Sequence, residues 1–502
     1  MDDQPSTQGS IIRDLISDRG PSIAIIGAGF GGIATAVKLA QAGFRRFTVF
    51  EQSQGPGGTW WDNRYPGCAV DIPSHAYSFS FMRQDWRSTH ATQPELLQYA
   101  HDVLDRFELW SHFRFGTRVD EVQWDDEHGG YVVRTAHGDE NFDVVVSCLG
   151  LLNVPRIPDW PGLDEFAGPM FHSSRWEHDH DLGGKRVAVI GTGSTSAQVV
   201  PAIAPYVGKL FVFQRQPGWI MPKGDRVFTA AERRRFLRYP ILQKLRRVKL
   251  FYLDRRRFKG FDAGSAMQQE LRRLCVDFID SAIDSPAVRA AVTPDYPWGC
   301  KRVVVSSDFY PALNRDNVEL VSKAVTRVTR TGVVDSDGVE REVDVLVLAT
   351  GFQPTKYLAS LRVRGPGGID LHAAWGDEPR AFLGITVAGF PNFFILYGPN
   401  TNGGFSIIAQ LERQAEVVVR AVARIHRRRA AVDTRPSALD RYVRWIDRQI
   451  ATHASAMEAG CTNYYHAPTG RNVTQWPRAH AEYYVITKLL PRFGFVDAKA
   501  RS

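Results

Sequence analysis

Two short glycine-rich turns constrain this chain more than any other feature, because each stands between a strand-like apolar run and a helical pattern. Ser22-Ile-Ala-Ile-Ile26 leads into Gly27-Ala-Gly29-Phe-Gly-Gly32, then the helical pattern Ile33-Ala-Thr-Ala-Val-Lys-Leu39, then Phe47-Thr-Val-Phe50 ending in Glu51. The same order recurs at Arg186-Val-Ala-Val-Ile190, Gly191-Thr-Gly193-Ser-Thr-Ser196, Ala197-Gln-Val-Val-Pro-Ala-Ile203 and Leu210-Phe-Val-Phe213. A strand, a glycine turn and a helix bring unpaired backbone N–H groups and the positive helix end to one point, where a pyrophosphate is held. The turns begin at residues 27 and 191, too far apart for a short-period repeat. The expected fold is α/β, with two Rossmann-like dinucleotide-binding domains.

The residues after each second strand distinguish the two sites. Glu51 is placed to accept hydrogen bonds from ribose hydroxyls, so Gly27, Gly29, Gly32 and Glu51 suit an unphosphorylated ribose, as in FAD or NAD. At the matching place in the second unit stand Gln214 and Arg215. A guanidinium there grips a 2′-phosphate, so Gly191, Gly193, Ser194, Ser196 and Arg215 point to NADPH. The third small position is Ser196 rather than glycine, which allows slightly wider packing. FAD in the first unit and NADPH in the second would face each other across a cleft.

Buried-strand signals at Asp143-Val-Val-Val-Ser147 and Asp344-Val-Leu-Val-Leu348 close the two units. The resulting division assigns 1–154 to the first part of the FAD domain, 155–222 to the first part of the NADPH domain, and 223–299 to a helical insertion. Residues 300–375 complete the NADPH domain, and 376–502 complete the FAD domain with a C-terminal control loop. Within the insertion, Leu237, Ile241, Leu245, Val248 and Tyr252 recur at helical spacing. Pro240 should kink or start that helix. The stripe is expected to pack on the neighbouring sheet domain, so association with a membrane surface is not expected. A long helical pattern runs from about Phe405 to Arg429.

Composition narrows the remaining classes. With 502 residues, 44% hydrophobic and 23% charged, the chain suits a soluble protein of two to four domains. Met1-Asp-Asp-Gln-Pro-Ser-Thr-Gln-Gly-Ser10 lacks the basic-then-apolar order of a signal peptide. The five cysteines, with no Cys-x-x-Cys pair, are expected to be free thiols in a reducing cytoplasm. No metal site is expected. The formal charge of +8 comes from arginine clusters read as solvated helix faces and C-termini, with no nucleic-acid module around them.

Three further motifs carry a resemblance. Phe166-x-Gly168-x-x-x-His172-x-x-x-Trp176 resembles the fingerprint of type I Baeyer–Villiger monooxygenases. Gly57-Gly58-Thr-Trp60-Trp-Asp-Asn-Arg-Tyr65-Pro66-Gly67-Cys-Ala-Val-Asp71 resembles a second family signature, and Cys300-Lys301-Arg302 a third. One departure is Glu177, where the fingerprint usually ends in Pro or Asp. The resemblance implies insertion of one oxygen atom of O2 beside a ketone carbonyl through a C4a-peroxyflavin, giving an ester or lactone. It assigns Arg302 as the fixed cation for the anionic adduct and Asp71 as its partner. Gly58, Thr59 and Trp60 would line the flavin. Lys301, Arg215 and Gln216 would hold the 2′-phosphate, while Trp476, in Asn472-Val-Thr-Gln-Trp476-Pro, belongs to a control segment folding over NADPH. Phe166, Gly168, His172 and Trp176 would mark the hinge, with His172 a hydrogen-bonding linker and Trp176 a packing residue. Two alternatives stay open: a flavin-containing monooxygenase acting on amines or sulfides, and an NADPH:acceptor reductase without oxygenation. The implied partners are O2 and a small ketone, and no oligomeric state is implied.

Overall fold

The computed structural model describes residues 20–403, 406–455 and 463–498. The N-terminal decapeptide, Phe405 and Cys461 lie outside the described residues. Two five-stranded parallel sheets organise the chain. In the first, the order is Phe393–Ile395, Val144–Ser147, Ile23–Ile26, Phe47–Phe50 and Phe113–Arg114. In the second it is Val318–Val321, Lys209–Phe213, Arg186–Ile190, Val345–Leu348 and Met170–His172.

All four residues of Ile23–Ile26 are buried because the strand is covered on both faces. Ile23 and Ile25 join a core with the helices Phe30–Gln41 and Ile407–Arg428, while Ala24 and Ile26 point into a second core. That second core includes Val122, Tyr131 and Val133 from a four-stranded sheet. Two-sided burial is why the strand reads as a continuous apolar run rather than an alternating one. Arg186–Ile190 repeats the arrangement, with Val187 and Val189 on one side and Ala188 and Ile190 on the other.

In each sheet the chain leaves the first strand in one direction and later returns to its other side, so the glycine turn lies where the strand order reverses. Such a point is where open α/β sheets bind nucleotides.

The return to the first unit comes earlier than the sequence suggests. Arg362–Arg364 pairs with the strand Val119–Asp125, and Tyr357, Leu358, Leu361 and Val363 are buried with Ala24 and Ile26. Residues 357–375 therefore belong with the first unit rather than the second. The three-residue strand alternates arginine and valine beside glycine and proline, which leaves its single buried Val363 too weak a signal to read.

Four helices form the insertion: Ala230–Arg238, Pro240–Phe258, Ala266–Ala282 and Pro286–Val292. Pro240 starts the second of these, where a missing N–H costs nothing. A capping box of Thr229 and Glu232 opens the first. The insertion's two ends are tied by a short parallel ribbon, Ile220–Met221 against Val304–Val305.

The stripe expected to pack on the sheet domain instead faces solvent. Ile241, Leu245, Val248 and Tyr252 are 57–66% exposed. The opposite face of the helix docks, through Arg247, whose guanidinium donates to the Ser78 carbonyl at 2.5 Å and lies 3.9 Å from buried Glu412. The inward face is thus held by a guanidinium-to-carbonyl hydrogen bond rather than by the apolar stripe.

Among the described residues, no helix is long and apolar enough to cross a membrane. Cys68, Cys148 and Cys275 are free and buried. Cys300 is disulfide-bonded, against the expectation of free thiols throughout; cysteine spacing along the sequence carries no information on a contact made through tertiary structure.

Candidate active site

The first glycine turn is shaped by close backbone approach. Gly27 has φ +105°, and a Cβ there would stand 2.7 Å from the Cys148 carbonyl oxygen at the end of the neighbouring strand. A Cβ on Gly32 would stand 2.0 Å from the Gly27 carbonyl oxygen. Gly58, at φ +54°, brings its backbone against Gly29, where a Cβ would lie 2.8 Å from the Gly29 Cα. Side chains are thus excluded from the space over the amides that open the helix Phe30–Gln41, amides which the helix itself leaves unpaired. This cradle fits a dinucleotide pyrophosphate. Glu51 stands beside it, 8% exposed, accepting from the Ala28 amide and the Ser53 amide, each at 2.8 Å. Burial raises its pKa, and those two amide bonds oppose the shift. A carboxylate has about four acceptor sites, so with these amides and the Ser53 hydroxyl on it Glu51 can still accept from a ribose hydroxyl. Thr59 and Trp60 begin the short helix Thr59–Asp62 directly after Gly58, and the buried Trp60 ring meets Tyr77 edge-on at 5.8 Å.

The second turn repeats the device. Gly191 has φ +114°, and a Cβ would stand 2.5 Å from the Ala349 carbonyl oxygen, whereas Gly193 faces open space. Ser194 is half-buried at the turn's surface, and Ser196 is fully buried at the start of the helix Ser196–Ile203. Ser196 therefore serves helix-on-strand packing, with its hydroxyl walled off from any ligand.

Past the end of Lys209–Phe213, Gln214 turns inward and donates to the Ala291 carbonyl at 2.8 Å, leaving Arg215 exposed. Lys301 donates to Gln216 and lies 4.8 Å from the Tyr296 ring. Burial and then the Arg215 charge lower the Lys301 pKa. A lysine whose charge is disfavoured by a neighbouring guanidinium suits a doubly charged phosphate.

Arg302 donates to Asp71 Oδ2 at 2.7 Å, joining residues 231 positions apart. The ribbon explains how. Val304–Val305 is fixed beside Ile220–Met221, which positions Arg302 just before one strand and Lys223 just after the other. Asp71 arrives on the loop that follows Gly67. There a Cβ would stand 2.5 Å from the Gln198 carbonyl oxygen, and Tyr65 donates to the Gln198 side chain at 3.0 Å. The loop of the first unit is therefore seated on the helix of the second.

Arg302 keeps 40% of its side chain accessible and Asp71 keeps 19%, so the pair is open to solvent rather than a sealed ion pair. Burial works to raise the Asp71 pKa, but Arg302, its hydrogen bond and Lys223 outweigh it and hold the carboxyl below the usual range. The Asp71 charge raises the Arg302 pKa further, against burial, with Tyr464 and Tyr397 adding to the effect. The site thus keeps a permanent, partly accessible cation.

The Phe166 to Trp176 stretch is the edge of the second sheet. A Cβ on Gly168 would stand 2.3 Å from the Asp344 carbonyl oxygen, so glycine is what lets Met170–His172 reach its neighbour Val345–Leu348. Phe166 packs in the adjoining core, and Trp176 meets Phe171 edge-on at 5.0 Å. His172 accepts from the Ser174 amide through Nδ1 at 3.2 Å, and its Nε2 lies 3.0 Å from the Gly351 carbonyl. With burial lowering its pKa, the neutral ring bonds the outgoing linker. The incoming linker runs alongside, Arg156 donating to the Gly351 carbonyl at 2.9 Å and Gln353 to Val154 at 3.0 Å.

Trp476 does not face the cleft. It is 2% exposed, packed between Trp445 and Tyr483 in the first core. Upstream of its segment, Asn463 reaches the site by donating to the Cys300 carbonyl at 3.1 Å. The preference of a large aromatic ring for burial overrode its place in a loop.

Sequence reasoning missed Lys223 and Tyr397. Tyr397 has φ +60° and donates to Asn402 at 2.6 Å. Its signal was Tyr397-Gly398-Pro-Asn-Thr401, a turn too ornate for a mere connection. It also missed Arg175, 3.5 Å from Asp62, a bridge from the fingerprint to the Trp60 loop.

Two glycine-turn cradles, with a cation of one unit paired to a carboxylate of the other, suit a two-dinucleotide oxidoreductase. The family model described as flavin-binding monooxygenase-like matches residues 20–231. A Baeyer-Villiger monooxygenase of Streptomyces coelicolor is 40% identical, over 92% of this chain and 89% of that protein. One from Pseudomonas aeruginosa is 39% identical, over 93% and 89%. Among solved structures, cyclohexanone monooxygenase from Rhodococcus sp. Phi1 bound to NADP+ superposes with a TM-score of 0.86 at 31% identity, covering 95% of this chain and 99% of that one. An oxidized steroid monooxygenase bound to NADP gives 0.85 at 30% identity with the same coverage. The chain belongs to the Baeyer–Villiger monooxygenases, flavin-dependent enzymes that use NADPH.

Proposed function

We propose that the chain inserts one oxygen atom of O2 next to the carbonyl of a small ketone, with FAD held at Gly27, Gly29, Gly32, Glu51 and the Gly58 to Trp60 turn. NADPH is held at the second turn, with Arg215, Gln216 and Lys301 around its 2′-phosphate. When bound, the two cofactors supply the electrons and the activation of O2. The chain's own residues do the rest. Arg302 stabilises negative charge on the carbonyl oxygen as it becomes tetrahedral, because a guanidinium fixed before the reaction needs no reorganisation. Asp71 holds that guanidinium at one angle and keeps it charged. Arg302 itself, with a smaller contribution from Lys223, keeps Asp71 ionised. Seating the Asp71 loop on the second unit through Gly67 and Tyr65 makes the cation's position depend on how the two units sit.

The observation that carries this reading is the 2.7 Å Arg302–Asp71 pair, which joins the two units and keeps part of the guanidinium accessible. Its test is Arg302→Ala, with ester formation from a panel of cyclic, linear and aryl ketones measured beside NADPH consumption. Loss of one preorganised donor of this kind costs about 3–4 kcal/mol, on the order of a hundredfold or more in rate. NADPH oxidation with undiminished ester formation would remove Arg302 from the role. Amine or sulfide oxygenation without ester formation by the unsubstituted enzyme would favour the related flavin-containing monooxygenases.

A further inference from the structure

The insertion carries the chain's electrostatic asymmetry. Residues 230–258 hold eleven Arg and Lys against two acids, Glu232 and Asp254, a formal +9 in a chain whose total is +8. The rest of the molecule is therefore close to neutral. Of the two acids, Glu232 is spent on a bidentate pair with Arg226 at 2.7 and 2.9 Å. Asp254 is turned inward, where burial, opposed by Arg257, raises its pKa to about 7.

The charge is arranged around the exposed stripe. At about 100° per residue, Ile241, Leu245, Val248 and Tyr252 fall within an arc of roughly 60°. Lys244 and Arg255 project on one shoulder of that arc and Lys249 and Arg256 on the other, and all four are exposed. The remaining face is the one fixed to the protein by Arg247. An apolar ridge between two rows of cations, lying along the molecule's side, is the arrangement of a helix that rests in a lipid interface: apolar residues enter the acyl boundary while the cations meet phosphates. A second copy does not fit this face, because apposed ridges would bring the four flanking cations of each copy together with no exposed acid on the face to offset them.

We infer that the Pro240–Phe258 helix docks the enzyme on the surface of a membrane containing anionic lipid, reversibly and without spanning it. The surface lies outside the residues assigned to oxygenation, so the inference stands apart from the reaction.

The test uses the full chain with FAD bound and vesicles of phosphatidylcholine, with or without 30% phosphatidylglycerol as the chosen probe composition, separated by flotation. Each interfacial cation contributes a factor of roughly five in partitioning to an anionic surface. Lys244→Ser with Lys249→Ser is therefore expected to lower binding to the anionic vesicles about 25-fold, and high salt to weaken it in the unsubstituted enzyme. Val248→Ser is expected to lower binding to those vesicles as well. Because these side chains are exposed, ester formation from a water-soluble ketone and the melting temperature should not change. Equal partitioning of the unsubstituted and Lys-substituted enzymes would overturn the inference. So would absence of binding to anionic vesicles at low salt, or a dimer in sedimentation velocity that Val248→Ser dissociates.

Discussion

Asp71→Asn isolates the charge of the pair from its shape. Asparagine has nearly the same volume and its amide oxygen still accepts from Arg302, so the shape of the pair is retained while the anion is lost. A hydrogen bond between charged partners contributes about 1.5–3 kcal/mol. With 40% of the Arg302 side chain accessible, water screens the interaction and the lower end applies, about 1.5 kcal/mol or roughly tenfold in rate. The assay is the initial rate of ester formation at saturating NADPH and O2, with NADPH consumed counted against ester formed. The expected result is a tenfold fall in kcat for ester, with the KM for NADPH changed by less than about twofold, because the loss falls on the transition state rather than on cofactor binding. The pH profile adds a second reading. Losing Asp71 lowers the Arg302 pKa, yet a guanidinium stays charged throughout the working range, so the shape of the rate profile between pH 6 and 9 should not change. Undiminished ester formation, or a fall confined to the NADPH KM, would refute the assignment of Asp71 as the group that holds the cation.

Three other outcomes follow from the same geometry. Lys301→Ala should raise the KM for NADPH about tenfold by removing one charged contact to the 2′-phosphate, while leaving NADH unaffected; equal losses with both cofactors would count against the assignment. Gly67→Ala places a Cβ 2.5 Å from the Gln198 carbonyl at φ +78°, a strain of about 1–3 kcal/mol; a lower melting temperature with ester formation falling further than NADPH-driven dye reduction is expected, and wild-type coupling would sink it. His75 and His90 are buried, and burial first, then Arg246 for His75 and Lys223 for His90, lowers each pKa to about 4. The unfolded chain takes up the proton first, near pH 6.5, so stability falls as pH drops from about 6.5 to 4. At pH 5 each contributes a loss of about 2 kcal/mol; a melting temperature that stays flat over that window in the parent, or equally steep in His75→Gln, would contradict it.

What the sequence made legible was whatever one local rule controls. The glycine turns, the flanking strands and Pro240 at a helix start each follow from sterics within a few residues, and each stands where the pattern put it. Arg215 followed from its place after the second strand, but Lys301 and the Arg302–Asp71 partnership were reachable only through resemblance, since no spacing rule predicts that residues 71 and 302 meet. The elements that misled are those decided by tertiary contacts. Leu237 to Tyr252 made a persuasive apolar stripe, but the face that docks carries Arg247, whose guanidinium donates to the Ser78 carbonyl, a contact made through tertiary structure that no spacing shows. Trp476 read as a loop residue poised over a nucleotide, yet a ring of that size gains more from the Trp445 and Tyr483 cavity than from the cleft.

The fingerprint shows how the two kinds of information combine. Its glycine and aromatic residues are explained by strand packing alone, and nothing in that packing calls for histidine at 172. What calls for it is the contact to Gly351, on the strand-to-strand linker that leads back to the first unit while its neighbour, bonded at Arg156, leads out. Both crossings between the units are thus gathered under one imidazole, and the adjoining Arg175 reaches Asp62 beside the flavin cradle. A rotation of one unit against the other must bend both linkers at this point. The fingerprint residues therefore lie where the two linkers between the units run side by side, the linkers that connect Asp71's unit to that of Arg302.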